Sequence, residues 1–178
     1  MGLTYISTAT ASSSASLDIT SGIDSTYNEY QFHYVNCHPA TNSVWLTFQV
    51  NAAGASGFNE TMTTSYFRAY HYENDSATSL EYQTSSDQAE GTAYQRITTN
   101  AGNDNDQSVS GVLTLYAPSS TTYVKHFASR SNSAWQGDGS FETHVGGYVN
   151  TTSAIDEISF QFSSGNIDAG SIHMYGVG

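Results

Sequence analysis

The sequence predicts an all-β protein, an antiparallel β-sandwich of jelly-roll type, and three observations carry that prediction. The first is composition: 13% of residues are aromatic, 13 of them tyrosines, while only 11% are charged, which leaves the surface to Ser, Thr, Asn, Gln and Gly. Aromatic and β-branched residues suit a pleated surface, and the strong helix formers are scarce. The second is periodicity: apolar residues recur at every second position in about nine or ten short segments bounded by turn formers, and no window has a helical period. The third is size: 178 residues suffice to bury roughly 70% of the unfolded surface in one core, and neither repeat nor domain boundary interrupts the chain.

The elements follow in order. Leu3–Tyr5 opens a strand, and the Ser/Thr/Ala-rich run Ser7–Ser16 reads as a flexible or edge segment. Residues 1–16 are therefore expected to form an arm that can pack on a neighbouring subunit, and residues 17–178 a single sandwich domain. Tyr27–Val35 alternates Tyr30, Phe32 and Tyr34 against Gln31 and His33, and Val44–Val50 points Val44, Leu46, Phe48 and Val50 inward with Trp45, Thr47 and Gln49 outward. Thr61–Tyr72 carries Tyr66, Arg68, Tyr70 and Tyr72 on one face and Phe67, Ala69 and His71 on the other. Aromatics on both faces predict a central strand covered twice. Glu73–Gly91 is a long polar connection, after which Thr92–Thr98, Val109–Pro118, Thr122–Ala128 and Phe141–Val149 read as strands. Asn100–Gln107 and Ser131–Ser140 read as loops. In Ala154–Gly178, Ile158, Phe160 and Phe162 alternate, Ser163–Asn166 turns the chain, and Ile172, Met174 and Gly176 alternate again, which predicts a β-hairpin.

Charge limits the partners. Four Lys and Arg stand against 16 Asp and Glu, a net charge of -12, with no basic residue before Arg68. Nucleic acid is bound by neutralising its phosphates, so neither it nor an anionic membrane is an expected partner. The single cysteine, Cys37, allows no intrachain disulfide and reads as a small buried group. The first residues lack the basic and long apolar regions of a signal peptide.

Candidate chemistry is sparse. In the loop Gly102–Gln107, Asp104 and Asp106 are weak candidates for calcium, because alternating oxygen ligands suit a hard cation, but the glycine and distal glutamate of a helical calcium loop are missing. No other cofactor is implied. Six histidines occur without a metal-ligand spacing, there is no GxSxG elbow, and Asp156-Glu157 offers at most half of the carboxylate pair of a glycoside hydrolase. No enzymatic activity is expected. The aromatics say more: Trp45, Tyr66, Tyr70, Tyr72, Tyr94 and Trp135 exceed what one core needs, and such side chains stack on sugar rings or anchor protein interfaces. Trp135 in the stretch Trp135-Gln136-Gly137-Asp138-Gly139 is the most suggestive for a glycan, against the plainer reading of a tryptophan folded over the core.

Several motifs resemble a family of small bacteriophage and prophage proteins. They are Tyr27-x-x-Tyr30-x-Phe32 leading to Asn36-x-His38-Pro39-Ala40-Thr41-Asn42 and Val44-x-Leu46-x-Phe48-Gln49-Val50, then Ser65-Tyr66, then Gly111–Pro118, and the closing Ser163-Ser164-Gly165-Asn166-Ile167 with Gly170-Ser171-Ile172-x-Met174-Tyr175-Gly176. The resemblance covers most of the chain from about residue 17. It implies a virion component and no activity. The expectation built on it is a protein of the outer surface of a capsid or tail, a decoration or cement protein or a tail-appendage subunit, associated with other virion proteins as a homo-oligomer such as a trimer. The alternative expectation is a receptor- or carbohydrate-binding module of a tail fibre, with a host surface glycan as ligand. Exposed tyrosines gathered with Trp135 in a concavity would favour sugar; aromatics spread over a flat patch would favour a protein partner.

Overall fold

A computed structural model, which describes residues 2–178, has strands joined by turns and loops and, among the described residues, no helix. In order they are β1 (Leu3–Thr10), β2 (Leu17–Ile19), β3 (Glu29–Pro39), β4 (Leu46–Ala52), β5 (Met62–Tyr72), β6 (Thr78–Tyr82), β7 (Gln95–Arg96), β8 (Val109–Tyr116), β9 (Lys125–Trp135), β10 (Gly139–Val149), β11 (Ile155–Phe162) and β12 (Ile167–Val177). They form two antiparallel sheets, one of eight strands ordered β1-β12-β3-β8-β9-β10-β5-β6 and one of four ordered β2-β11-β4-β7. The protein is an all-β sandwich. A jelly roll divides eight strands between two Greek keys; here the division is eight and four, and β8, β9 and β10 run as a meander.

The core lies where the small sheet covers the large one. Phe32, Phe48, Phe160 and Leu113 are wholly buried, and Phe48 packs on Phe127 and Phe160, with ring centroids 4.9 and 6.4 Å apart. These are the residues that period-two alternation points inward, so hydrophobic burial settled the register of each strand.

Sheet membership is a different matter. The expected hairpin of Ala154–Gly178 is not one: β11 pairs with β2 and β4, whereas β12 pairs with β1 and β3. The Ser163–Asn166 turn carries the chain from one sheet to the other, so that both apolar faces meet across the core instead of lying side by side. β3 and β4 are split in the same way. β5 is also not covered on both faces. It sits next to the edge strand β6, and Phe67 on its outer face is exposed.

Three further segments differ from expectation. The Ser7–Ser16 run continues β1 through Thr10, paired with β12 of its own chain, so the edge reading holds for its first part. β6 lies inside the polar Glu73–Gly91 connection, where its alternation of exposed Thr78, Leu80 and Tyr82 carries no apolar inner face. β9 runs on to Trp135, through the stretch that reads as a loop from Ser131. The reason is chemical: Ser131 and Ser133 face inward and donate hydrogen bonds to the carbonyl oxygens of Ile97 (2.7 Å) and Thr99 (2.6 Å). Small hydroxyls there hold residues 97–101 against the large sheet where larger apolar groups would hold it off.

Candidate functional site

Two surfaces collect the residues of interest. The first is on the inner face of the large sheet, beyond the end of the small one. Tyr70 and Tyr72 alternate on β5, Phe141 sits opposite Tyr70 on β10, and Trp135 is opposite Gly139, which is opposite Tyr72. The rings form a stack: Trp135 to Tyr72 at 4.7 Å and 24°, Tyr72 to Tyr70 at 5.3 Å and 28°, Tyr70 to Phe141 at 5.1 Å and 27°. Arg68 closes the series, with its guanidinium 5.2 Å from the Phe141 centroid and 2.7 Å from Glu81 Oε1. At the other end a Cβ on Gly137 would fall 2.5 to 2.9 Å from three carbons of the Trp135 six-membered ring, so the β9–β10 turn lies against the indole.

Three of the six aromatics singled out in the sequence thus come together in one stack. Stacking on a sugar requires a free ring face, and here the faces are turned to one another, to Arg68 and to the turn. The stack works as a plug that covers the large sheet where the small sheet ends. Arg68, Phe141 and Gly137 complete it: alternation already puts Arg68 on the face of Tyr70 and Tyr72, and Gly137 adjoins Trp135 in the chain, but only the cross-strand register brings Phe141 opposite Tyr70.

The other three candidates lie apart. Tyr66 is fully buried, its hydroxyl donating to the Thr98 carbonyl oxygen (3.0 Å) and lying 2.6 Å from Thr99 Oγ1; it belongs to the core. Trp45 is half-buried under Arg96, whose guanidinium lies 4.2 Å from the ring centroid. Tyr94 crosses the outside of the small sheet and donates to Ser159 Oγ at 3.1 Å.

The loop with Asp104 and Asp106 is organised by Gln107. The Gln107 side chain accepts from the Asp104 N–H and donates to the Trp135 carbonyl oxygen, both at 3.3 Å, and His38 Nδ1 donates to the Gln107 carbonyl oxygen at 2.6 Å. Both aspartates are exposed. Among the described residues no three His, Cys, Asp or Glu side chains converge in a manner that could hold a metal ion.

The second surface is the outer face of the eight-stranded sheet, which no second layer covers. Eight strands at about 4.8 Å spacing make it roughly 34 Å wide. Register places His173, His33, Val112, Arg130, His144 and Phe67 in one row across six strands. Beside that row runs a second of small residues, Thr114, Ala128, Gly146 and Ser65. Beyond it stand His126, Tyr148 and Thr63. Small side chains between taller ones make a trough. Nothing stands within 4 Å of a Cβ built on Gly146, and depressions of about 360 and 490 Å³ lie on either side of it. On the trough wall Phe67 and His144 stack at 5.0 Å with parallel planes.

This face also holds most of the exposed apolar residues. Of the eight large hydrophobic side chains exposed among the described residues, seven (Leu3, Tyr5, Val35, Phe67, Leu80, Tyr82 and Tyr116) project from it, and Tyr123 is the exception. Five of the six histidines are there too. Burial holds the His33 imidazole below its ordinary range, and the neighbouring His173 adds to that.

No protein-family model, no curated protein and no solved structure matches the chain. The functional reading therefore rests on the two surfaces and the sequence motifs.

Proposed function

We propose that this protein is a non-enzymatic structural subunit of a bacteriophage particle, carried outside the capsid or tail as a decoration or appendage protein and attached through the open face of its eight-stranded sheet. One observation carries the docking part: seven of eight exposed large hydrophobic residues project from that face. Apolar groups gathered on one face mark a surface that meets a partner, and the spread of Leu80, Phe67, Tyr116 and Tyr5 over many strands is that of a broad contact rather than a pocket. The placement on a particle is supported by the sequence resemblance, and the outward position by the net charge of -12, which keeps the subunit off the packaged nucleic acid.

A second reading, a glycan-binding module at a fibre tip, is favoured by the trough. Ser65 and Thr114 give its floor hydroxyls, and Phe67 and Tyr148 give its walls rings, in a line that suits an extended chain of sugars.

The test is gold labelling of intact particles with an antibody to this chain, joined to binding of purified wild-type and Leu80→Asp protein to particles that lack it. The expected result is label over the head or along the tail, and binding lost in the variant at unchanged thermal stability. Label confined to the tail tip, with retention of the wild type on immobilised host glycan, would transfer the assignment to the second reading. Particles free of label would overturn both.

A further inference from the structure

We propose that the free edge of β1 is a self-association site, at which a second copy of this chain adds its own β1 antiparallel and fuses two eight-stranded sheets into one. Four strands close the two sheets: β1 and β6 the large one, β2 and β7 the small one. Three of them carry the usual protection against edge pairing, which is shortness and charge. β2 has three residues and Asp18, β7 two residues and Arg96, β6 five residues and Glu81. β1 has neither. It spans eight residues, LTYISTAT, without charge or proline, and no side chain from Leu3 to Leu17 is charged. Two copies that each carry -12 repel over most of their surfaces, and β1 is the one sheet edge at which they meet without opposing charges of like sign.

The backbone of this edge matches itself. Gly2 and Gly178 exchange both backbone hydrogen bonds (2.9 and 3.2 Å), so alternation turns the N–H and C=O of Leu3 and Tyr5 away from β12. A bulge between Tyr5 and Ser7 shifts the phase. On its far side the Ala11 N–H donates to the Gly170 carbonyl oxygen at 2.9 Å, which turns Thr8 and Thr10 outward. The outward set of residues 3, 5, 8 and 10 is symmetric about the 6–7 peptide. A two-fold axis there sets Leu3 opposite Thr10 and Tyr5 opposite Thr8 of the other copy, four reciprocal pairs making about eight hydrogen bonds. Side chains at these positions are uncharged, and Leu3 and Tyr5 are 51% and 58% exposed; Tyr5 packs edge-on against Tyr175 and donates to Thr8 Oγ1 in its own strand (3.1 Å), and its exposed remainder is available to a cross-strand pair. Such an isologous contact closes on itself, so the product is a dimer and not a filament. The proposal shares Leu3 and Tyr5 with the docking surface but needs no partner on it: the pairing leaves the open face uncovered and doubles its width.

Sedimentation equilibrium of the whole chain, taken up to roughly 1 mM, reads the association directly. Expected is a concentration-dependent rise from 19.1 kDa to twice that mass. Thr8→Pro deletes an outward N–H that β12 does not use, and Thr10→Lys places a charge on the edge; each should raise the dimer dissociation constant at least tenfold with the circular dichroism of the fold intact. Using two variants keeps the test decisive where the proline disturbs β1. A wild-type chain that stays monomeric over the whole range overturns the proposal. So does a dimer indifferent to both edge variants, or one that dissociates only on Leu80→Asp, which would place the contact on the open face.

Discussion

Gly137→Ala tests whether Trp135 is a structural plug or a ring held ready for a ligand. The added methyl would stand 2.5 Å from the indole, and Gly137 is exposed in a turn, so the half-buried ring is the group that gives way. If it swings out, the 4.7 Å stack on Tyr72 is lost, roughly 0.5–1.5 kcal/mol. Re-exposing about 80–100 Å² of apolar ring removes a further ~2 kcal/mol. Two effects oppose this. The indole N–H, buried without a hydrogen-bond partner, regains water, which returns about 1 kcal/mol. Alanine also restricts the unfolded chain, returning ~0.4–1 kcal/mol. The net is a loss of about 1–2 kcal/mol, and at ~2–4 °C per kcal/mol for a chain of this length the melting temperature falls by about 2–8 °C. Thermal unfolding gives the stability; tryptophan emission in a Trp45→Phe background gives the ring's surroundings and should move to the red. An alanine variant as stable as wild type with unshifted emission would refute the plug.

Three other outcomes follow from the same packing. Cys37 is buried, and its thiol is pushed up to about 12 by that burial. An aromatic disulfide reagent should therefore label it only at the rate of global unfolding, and stability should decline as pH rises above the ordinary thiol range, because the unfolded chain releases a proton that the folded one keeps. Burial holds His33 below its ordinary value, so the unfolded chain binds the proton first; the urea midpoint should drop as pH falls through about 6.5, and His33→Gln should flatten that limb, a wild-type slope in the variant counting against the assignment. Tyr34 is wholly buried, with its hydroxyl 3.0 Å from Ser129 Oγ. Tyr34→Phe should lower stability by roughly 1–3 kcal/mol, and adding Ser129→Ala should cost less than that change does alone, since both partners are then removed; full additivity would show that the two groups are not coupled.

Much of the fold was legible in the chain because a sheet with one buried face writes itself at period two. The inward sets Tyr30-Phe32-Tyr34, Leu46-Phe48-Val50 and Ile158-Phe160-Phe162 are all core. β9 was not legible beyond Ala128, because its inner positions are serines, Ser129 bonded to the Tyr34 hydroxyl and Ser131 and Ser133 to the backbone carbonyls of residues 97 and 99, and such a strand has no apolar signature. β6 was missed for a related reason: both of its faces are polar or open. Of the aromatics, Tyr70 and Tyr72 share a face by spacing alone, but whether their rings were free for a ligand depended on Phe141 and Arg68 closing one end and Gly137 the other.

The sequence by itself determined the all-β class, the inward and outward face of most strands, the lone buried thiol and the acidic surface, since all of these are set by composition and local alternation. Tertiary structure alone decided which sheet each strand joined, because alternation looks the same in a hairpin and in a turn that crosses between sheets. That choice split β11 from β12, made the large sheet wider than its partner, and so left one face of eight strands open to solvent. The trough, the row of histidines and the uncharged edge of β1 are consequences of that mismatch, assembled from residues far apart in the chain whose neighbours only cross-strand register could name.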